Sequence, residues 1–238
     1  MNLNKEGVNM TEMLMSLGLS SYSSKIAVLL INSTVETLYM VLFATAISIL
    51  LGVPLGVLLL ISSKGYFWDS PRFYAILGSV VNALRSIPFI ILMVAIIPFT
   101  KLLVGTSIGT TAAIVPLTVS TIPFLGRLVE TSLHAVPYGL IETAQAMGAG
   151  PWKIISRVLI PEALPELVQN FTLTLIVIIG SSAMAGTIGG GGLGDLAIRY
   201  GYMRFQAGIM LATVIILIVM VQLAQWAGDY ISRKVDHR

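Results

Sequence analysis

The sequence has no cysteine, only two histidines and little charge, and each scarcity closes off a class of function. Without cysteine there is neither a disulfide frame nor a thiolate metal site. His134 and His237 stand far apart with no patterned carboxylate partner, so no metal centre is predicted. Charged residues make up 11% of the 238, where an ordinary soluble domain has roughly a quarter. Hydrophobic residues make up 56%, and the mean hydropathy of +0.91 is that of an integral membrane protein whose first partner is the lipid bilayer. A formal charge of +3 calls for no nucleic-acid partner. No Ser/His/Asp set and no paired intramembrane carboxylates are present, so the chain itself is not read as an enzyme and no cofactor is assigned to it.

What remains is apolar sequence in long runs. A bilayer core takes roughly 20 apolar residues per helix, and five runs meet or approach that length: residues 31–60, 79–99, 110–128, 167–187 and 207–227. The first carries Glu36 near its start and "GVPLG" at 52–56, read as an internal kink. The third holds Pro116 and Pro123 among Thr118, Ser120 and Thr121, which a span tolerates when it faces protein or an aqueous path. Ahead of the first run, Met10, Met13, Leu14 and Leu17 share one helical face and predict a short surface helix.

With five spans the two termini lie on opposite faces. Lys64, Arg72, Arg127, Lys153, Arg157, Arg233, Lys234 and Arg238 gather on one face, with Arg85 at its edge. Lys5, Lys25, Lys101, Arg199 and Arg204 fall on the other. The excess of basic residues assigns the C-terminus to the cytoplasm and the N-terminus to the outside.

That orientation puts residues 137–165, "PYGLIETAQAMGAGPWKIISRVLIPEALP", in the cytoplasm. The spacing predicts two short helices. Leu140, Ile141, Ala144 and Met147 form the apolar face of the first; Gly148 ends it and Pro151 opens the second. In the second, Ile154, Ile155, Val158 and Leu159 oppose Lys153, Ser156 and Arg157, and Pro161 and Pro165 punctuate the approach to the next span. Spacing alone fits equally a docking surface and a plain connector lying on the membrane.

Elsewhere, "GTIGGGGLGD" at 186–195 lacks the Lys-Ser/Thr ending of a phosphate loop and follows an apolar helix instead of a strand. It reads as a flexible outer loop where helices approach closely. Small residues from Ser181 to Gly186 either pack helices tightly or line a gate. Arg85 either reaches the cytoplasmic headgroups or faces a pore. Arg127 and Glu130, three apart, predict a local ion pair, and Glu36 reads as interfacial.

"ETAQAMGAGPWKIISRVLIP" resembles the signature loop of permease subunits of binding-protein-dependent ABC importers: Glu-Ala-Ala, Gly four residues after the last Ala, and an Ile-x-Leu-Pro ending. Glu142, Ala144, Gly148 and Pro161 match, Thr143 replaces the middle Ala, and Val158 and Ile160 replace the Ile and Leu. "NALRSIPFIILMVAIIPFTKLLVGTSIGTTAAIVPLTV" and "SAMAGTIGGGGLGDLAIRYGY" extend the similarity to the methionine-importing members of that class.

The resemblance implies an all-α integral membrane protein with the type I importer permease fold: five transmembrane helices and a cytoplasmic coupling-helix loop. It divides the chain into an N-terminal tail at 1–31, a transmembrane domain at 32–229 and a basic cytoplasmic tail at 230–238. It further implies a homodimer in a bacterial inner membrane, a separate ABC ATPase dimer that binds the ATP, and a methionine-binding lipoprotein or periplasmic protein. Another small amino acid or organic sulfur compound is the alternative cargo. Carried onto this sequence, the ATPase-coupling residues are Glu142, Ala144, Ala146, Met147 and Gly148, and the translocation path or gate takes Ser181, Ser182, Met184 and Arg85.

Overall fold

A backbone that meets no water must satisfy its own hydrogen bonds, and this chain does so by helix. The computed structural model describes residues 21–236, and every regular element among them is helical. The surface helix expected around Met10 to Leu17, and His237, lie outside the described residues.

Helix α1 is Ser21–Ser62, α2 Pro71–Ser86, α3 Phe89–Ala95, α4 Ile97–Val104 and α5 Thr110–His134. The segment beyond α5 holds α6, Tyr138–Ala146, and α7, Pro151–Ile154, which runs through a π-helical turn, Ile155–Leu159, into α8, Ile160–Gly186. Helix α9, Gly192–Leu196, passes through a second π-helical stretch, Ala197–Tyr202, and α10 is Ala207–Val235. Four continuous helices are long and apolar enough to cross a membrane, and the bent pair α2 and α3 supplies a fifth span.

Two expectations are corrected. The second span is not straight: α2 and α3 meet at 101°, because Pro88 offers no N–H and drives Ile87 into extended backbone at φ −79°, ψ 123°. The segment 137–165 holds one separate short helix, not two. The stretch Pro151–Gly186 runs 36 residues without interruption, with Pro161 in the first turn of α8 and Pro165 inside it. The π turn makes this workable: Ile160 N–H reaches back five residues to the Ile155 carbonyl, so the helix slips by one residue ahead of a proline that has no amide to give. Helix α1 runs through "GVPLG" without a break, with Pro54 inside it.

Those glycines set a helix crossing. A Cβ on Gly56 would stand 2.5 Å from Val129 Cβ and 2.6 Å from the Gly126 carbonyl, and one on Gly52 would stand 3.1 Å from Leu125. Helices α1 and α5 thus approach backbone to backbone, the small-residue packing that membranes favour where lipid removes the hydrophobic drive, and they share the most extensive contact in the fold. Two cores flank the crossing. One joins Met40, Ala44, Met93, Leu117 and Ile178. The other joins Leu60, Leu125, Val129 and Leu133 to Ile141, Ala144, Ile154 and Leu159.

The glycine-rich stretch 186–195 shows the close approach expected of it, but it is pinned, not loose. Gly192 N–H donates to Glu36 Oε2 at 2.8 Å and Leu193 N–H to Thr37 Oγ1 at 2.8 Å, so Glu36 anchors this turn to α1. A Cβ on Gly194 would sit 2.3 Å from the Ala183 carbonyl.

The predicted Arg127–Glu130 ion pair forms, and Tyr74 from α2 completes it by donating to Glu130 Oε1 at 2.8 Å. Glu130 is 6% exposed, so the pair is held away from water between α2 and α5. Glu130→Gln is expected to lower stability by about 1–3 kcal/mol, because it strands the Arg127 charge, with Tyr74→Phe costing less. Thermal unfolding in detergent checks the order. Equal Tm values for Glu130→Gln and the parent would show that the charge contributes nothing.

Candidate functional site

The first candidate surface is the segment around α6. Its helix ends in a Schellman motif: Gly148, at φ +77°, takes the left-handed conformation, its N–H donates to the Gln145 carbonyl at 2.9 Å, and Ala149 N–H donates to the Ala144 carbonyl at 3.0 Å. Ile141 and Ala144 are buried, at 1% and 4% exposure, in the core that contains the ends of α1 and α5. At its other end, Tyr138 Oη donates to the Gly65 carbonyl at 3.3 Å, and its ring meets Tyr66 edge-on at 6.3 Å. Burial, with Tyr138 adding to it, pushes the Tyr66 phenol above its ordinary range. The helix is therefore fixed at both ends and along one face.

Its outer face is open. Glu142, Ala146, Met147 and Gly148 are exposed, whereas Ala144 turns inward. Leu140 and Met147, expected on the buried face, point outward instead, because Ile141 and Ala144 alone fill the space over the core. Sequence reasoning gave no role to Tyr138 or Trp152. Both are exposed, Trp152 at 76%, and large exposed aromatics in a segment that also exposes Met147 at 78% are the signal that would have found them. Exposed large apolar side chains in a segment that also exposes a carboxylate make a surface suited to a protein partner.

The second candidate is a cleft of about 550 Å³ at the α2–α3 break, walled also by α5 and α8. Its polar lining is Asn82, Arg85, Ser86, Ser120, Thr121 and Ser181. The structure thus brings Arg85 and Ser181 together. Ser182 and Met184 lie outside the cleft lining: Ser182 is buried with its hydroxyl on the Ile179 carbonyl at 2.7 Å, and Met184 is 52% exposed. Ala185, also small, packs in the interior, so this stretch serves helix packing and the cleft with different residues. The hydroxyls of Ser120 and Thr121 were signalled by their prolines, while Asn82 and Ser86 became neighbours of the cleft only through the 101° bend.

The cleft opens against the middle of α5. Ser120, Thr121 and Phe124 flank the midpoint of the 25-residue α5, and the Arg85 guanidinium lies 5.9 Å from the Phe124 ring centroid. Among the described residues the salt bridges are Arg127–Glu130 and Arg199–Asp195, so Arg85 has no carboxylate partner there.

A helical membrane chain with a broken span, a polar cleft and an amphipathic helix locked beneath it is built as the membrane subunit of a transporter. The chain belongs to the family described as "Binding-protein-dependent transport system inner membrane component", whose profile matches residues 48–237. Within that family it is 56% identical over 210 residues to the probable D-methionine transport system permease protein MetI of Vibrio cholerae, covering 88% of this chain and 93% of that one. It is 44% identical to the methionine import system permease protein MetP of Bacillus subtilis, covering 87% and 93%. An inward-facing structure of the MetNI methionine ABC transporter superimposes with a TM-score of 0.87 at 47% identity, over 88% of this chain and 97% of that one. An amino acid ABC transporter solved with histidines shares the fold alone, with a TM-score of 0.73 at 19% identity.

Proposed function

We propose that this chain is the membrane-spanning subunit of an ATP-driven methionine importer, working as a homodimer above a separate pair of ATPase subunits and fed by a methionine-binding lipoprotein or periplasmic protein. ATP is bound and hydrolysed by the partner, and this chain contributes the path and the lever. Its C-terminus and α6 face the cytoplasm, the side on which the basic residues concentrate.

One observation carries the reading: Glu142 of α6 and Met147 at its end are exposed to a partner, while Ile141 and Ala144 are set in the same core as α1, α5 and α8. A push on the exposed face therefore reaches three spans through packed side chains. Glu142 serves as the charged anchor, and Ala146, Met147 and Gly148 as the contact. ATP shifts the permease between outward- and inward-open states only insofar as these contacts differ between the two. The methionine assignment is supported by the 56% and 44% identities to methionine permeases.

Purification of the intact complex from its native membrane tests the reading. Two copies of this chain with two copies of an ATPase, and ATP-dependent methionine uptake after reconstitution with the binding protein, are the expected results. A chain that purifies alone, or a complex that moves a different solute, overturns the class or the cargo respectively.

A further inference from the structure

We propose that the cleft at the α2–α3 break is a station at which the permease itself binds the α-carboxylate of its cargo, with Arg85 as the counter-charge. The inference rests on reading the chain as an amino-acid permease, and adds that the membrane subunit recognises the cargo instead of merely letting it pass.

Three features converge. An ionised side chain within a span costs several kcal/mol unless it is paired or watered, yet Arg85 has no carboxylate partner among the described residues. Phe124 beneath it offers a cation–π contact at 5.9 Å that uses none of its N–H donors. Its planar fork thus stays available for a bidentate carboxylate, with the Ser181 hydroxyl in the same cleft.

The opposite charge of a zwitterion also finds partners here. Pro88 has no N–H, so the carbonyl of Leu84, a cleft residue, lacks its usual amide donor four residues on. It is left as an acceptor for an ammonium group. The remaining wall is apolar, with Ile87, Phe89, Phe124 and Val177, and a thioether packs well against aromatic rings. A volume of about 550 Å³ falls within the range of small-molecule sites. A lipid phosphate would satisfy the same guanidinium, and the protection test below tells it from cargo.

The absence of cysteine makes a direct test available. In the whole permease–ATPase complex, Ser181→Cys gives this chain a single thiol in the cleft, and Thr106→Cys gives one on an exposed loop outside it. Saturating methionine is expected to slow labelling at position 181 by about fivefold or more and to leave position 106 unchanged. Methioninamide, which lacks the carboxylate, is expected to protect neither. Adding Arg85→Gln should abolish protection and cut uptake about tenfold or more, while Arg85→Lys restores part of both. Equal effects of methionine and methioninamide, no protection by either, or protection that survives Arg85→Gln would each overturn the inference; no protection by either is also the signature of a lipid occupant. Should the Arg85→Gln complex fail to assemble, the contrast between methionine and methioninamide decides alone. Uptake by the parent complex is measured first, so that failure of the permease reading is seen separately, as no amino-acid uptake at all.

Discussion

Gly148→Val is expected to leave the protein inserted and its ATPase bound, but to reduce methionine uptake by about tenfold or more while ATP hydrolysis continues. Gly148 holds φ +77°, a conformation that costs an L-residue about 1–2 kcal/mol and a β-branched one at least as much. Both backbone bonds that close α6, from Gly148 and Ala149, depend on it. Within this chain an added Cβ meets nothing within 4 Å, so the fold has room for the side chain. The penalty falls on the end of the helix and on whatever docks against it. Gly148→Asn separates the two, since Asn tolerates the left-handed region. Near-normal uptake with Asn assigns the defect to backbone conformation, and a loss equal to that of Val assigns it to space needed by the partner. Both rates are read in proteoliposomes, and fully coupled uptake by the Val variant would remove α6 from the mechanism.

Gly56→Ala is expected to have the largest effect on folding itself. Its Cβ would lie 2.5 Å from Val129 Cβ and 2.6 Å from the Gly126 carbonyl, and a backbone oxygen cannot rotate out of the way. Overpacking typically costs about 1–3 kcal/mol, and here relief requires moving α1 off α5 along their whole contact. Gly52→Ala should be mild, because the atoms 3.1 Å away belong to the Leu125 side chain. Gly180→Ala, which meets nothing within 4 Å, is the control. The yield of monodisperse protein after extraction and its Tm rank the three. A Gly56→Ala protein as stable as the parent would show that the helices do not cross so closely.

The five spans were legible because long apolar runs admit few readings. Their ends were less so: α1 is already helical at Ser21 and α5 continues to His134, each past the apolar run, because polar residues at the membrane edge are as content in helix as out of it. The bend between α2 and α3 was hidden in "SIP", where one proline outweighs the nine apolar residues that follow it, Phe89 to Ile97. Pro161 misled in the opposite direction, since a proline in a helix's first turn is tolerated and the π turn absorbs its missing donor. At the coupling segment the short helix and its Gly148 end were readable from spacing. Which apolar residues face inward was not, because the core above α6 is built from side chains more than eighty residues away, such as Leu60.

The burial of Ile141 and Ala144 has a consequence at the far end of the system. If the helix is set firmly in the core of the spans, influence through it runs in both directions and by the same factor. Whatever preference the nucleotide state gives the membrane helices, cargo seated among those helices must return to the nucleotide site as a changed affinity. A hundredfold bias at one end, about 2.7 kcal/mol, obliges a hundredfold bias at the other. An importer built this way senses a loaded path before it commits its ATP.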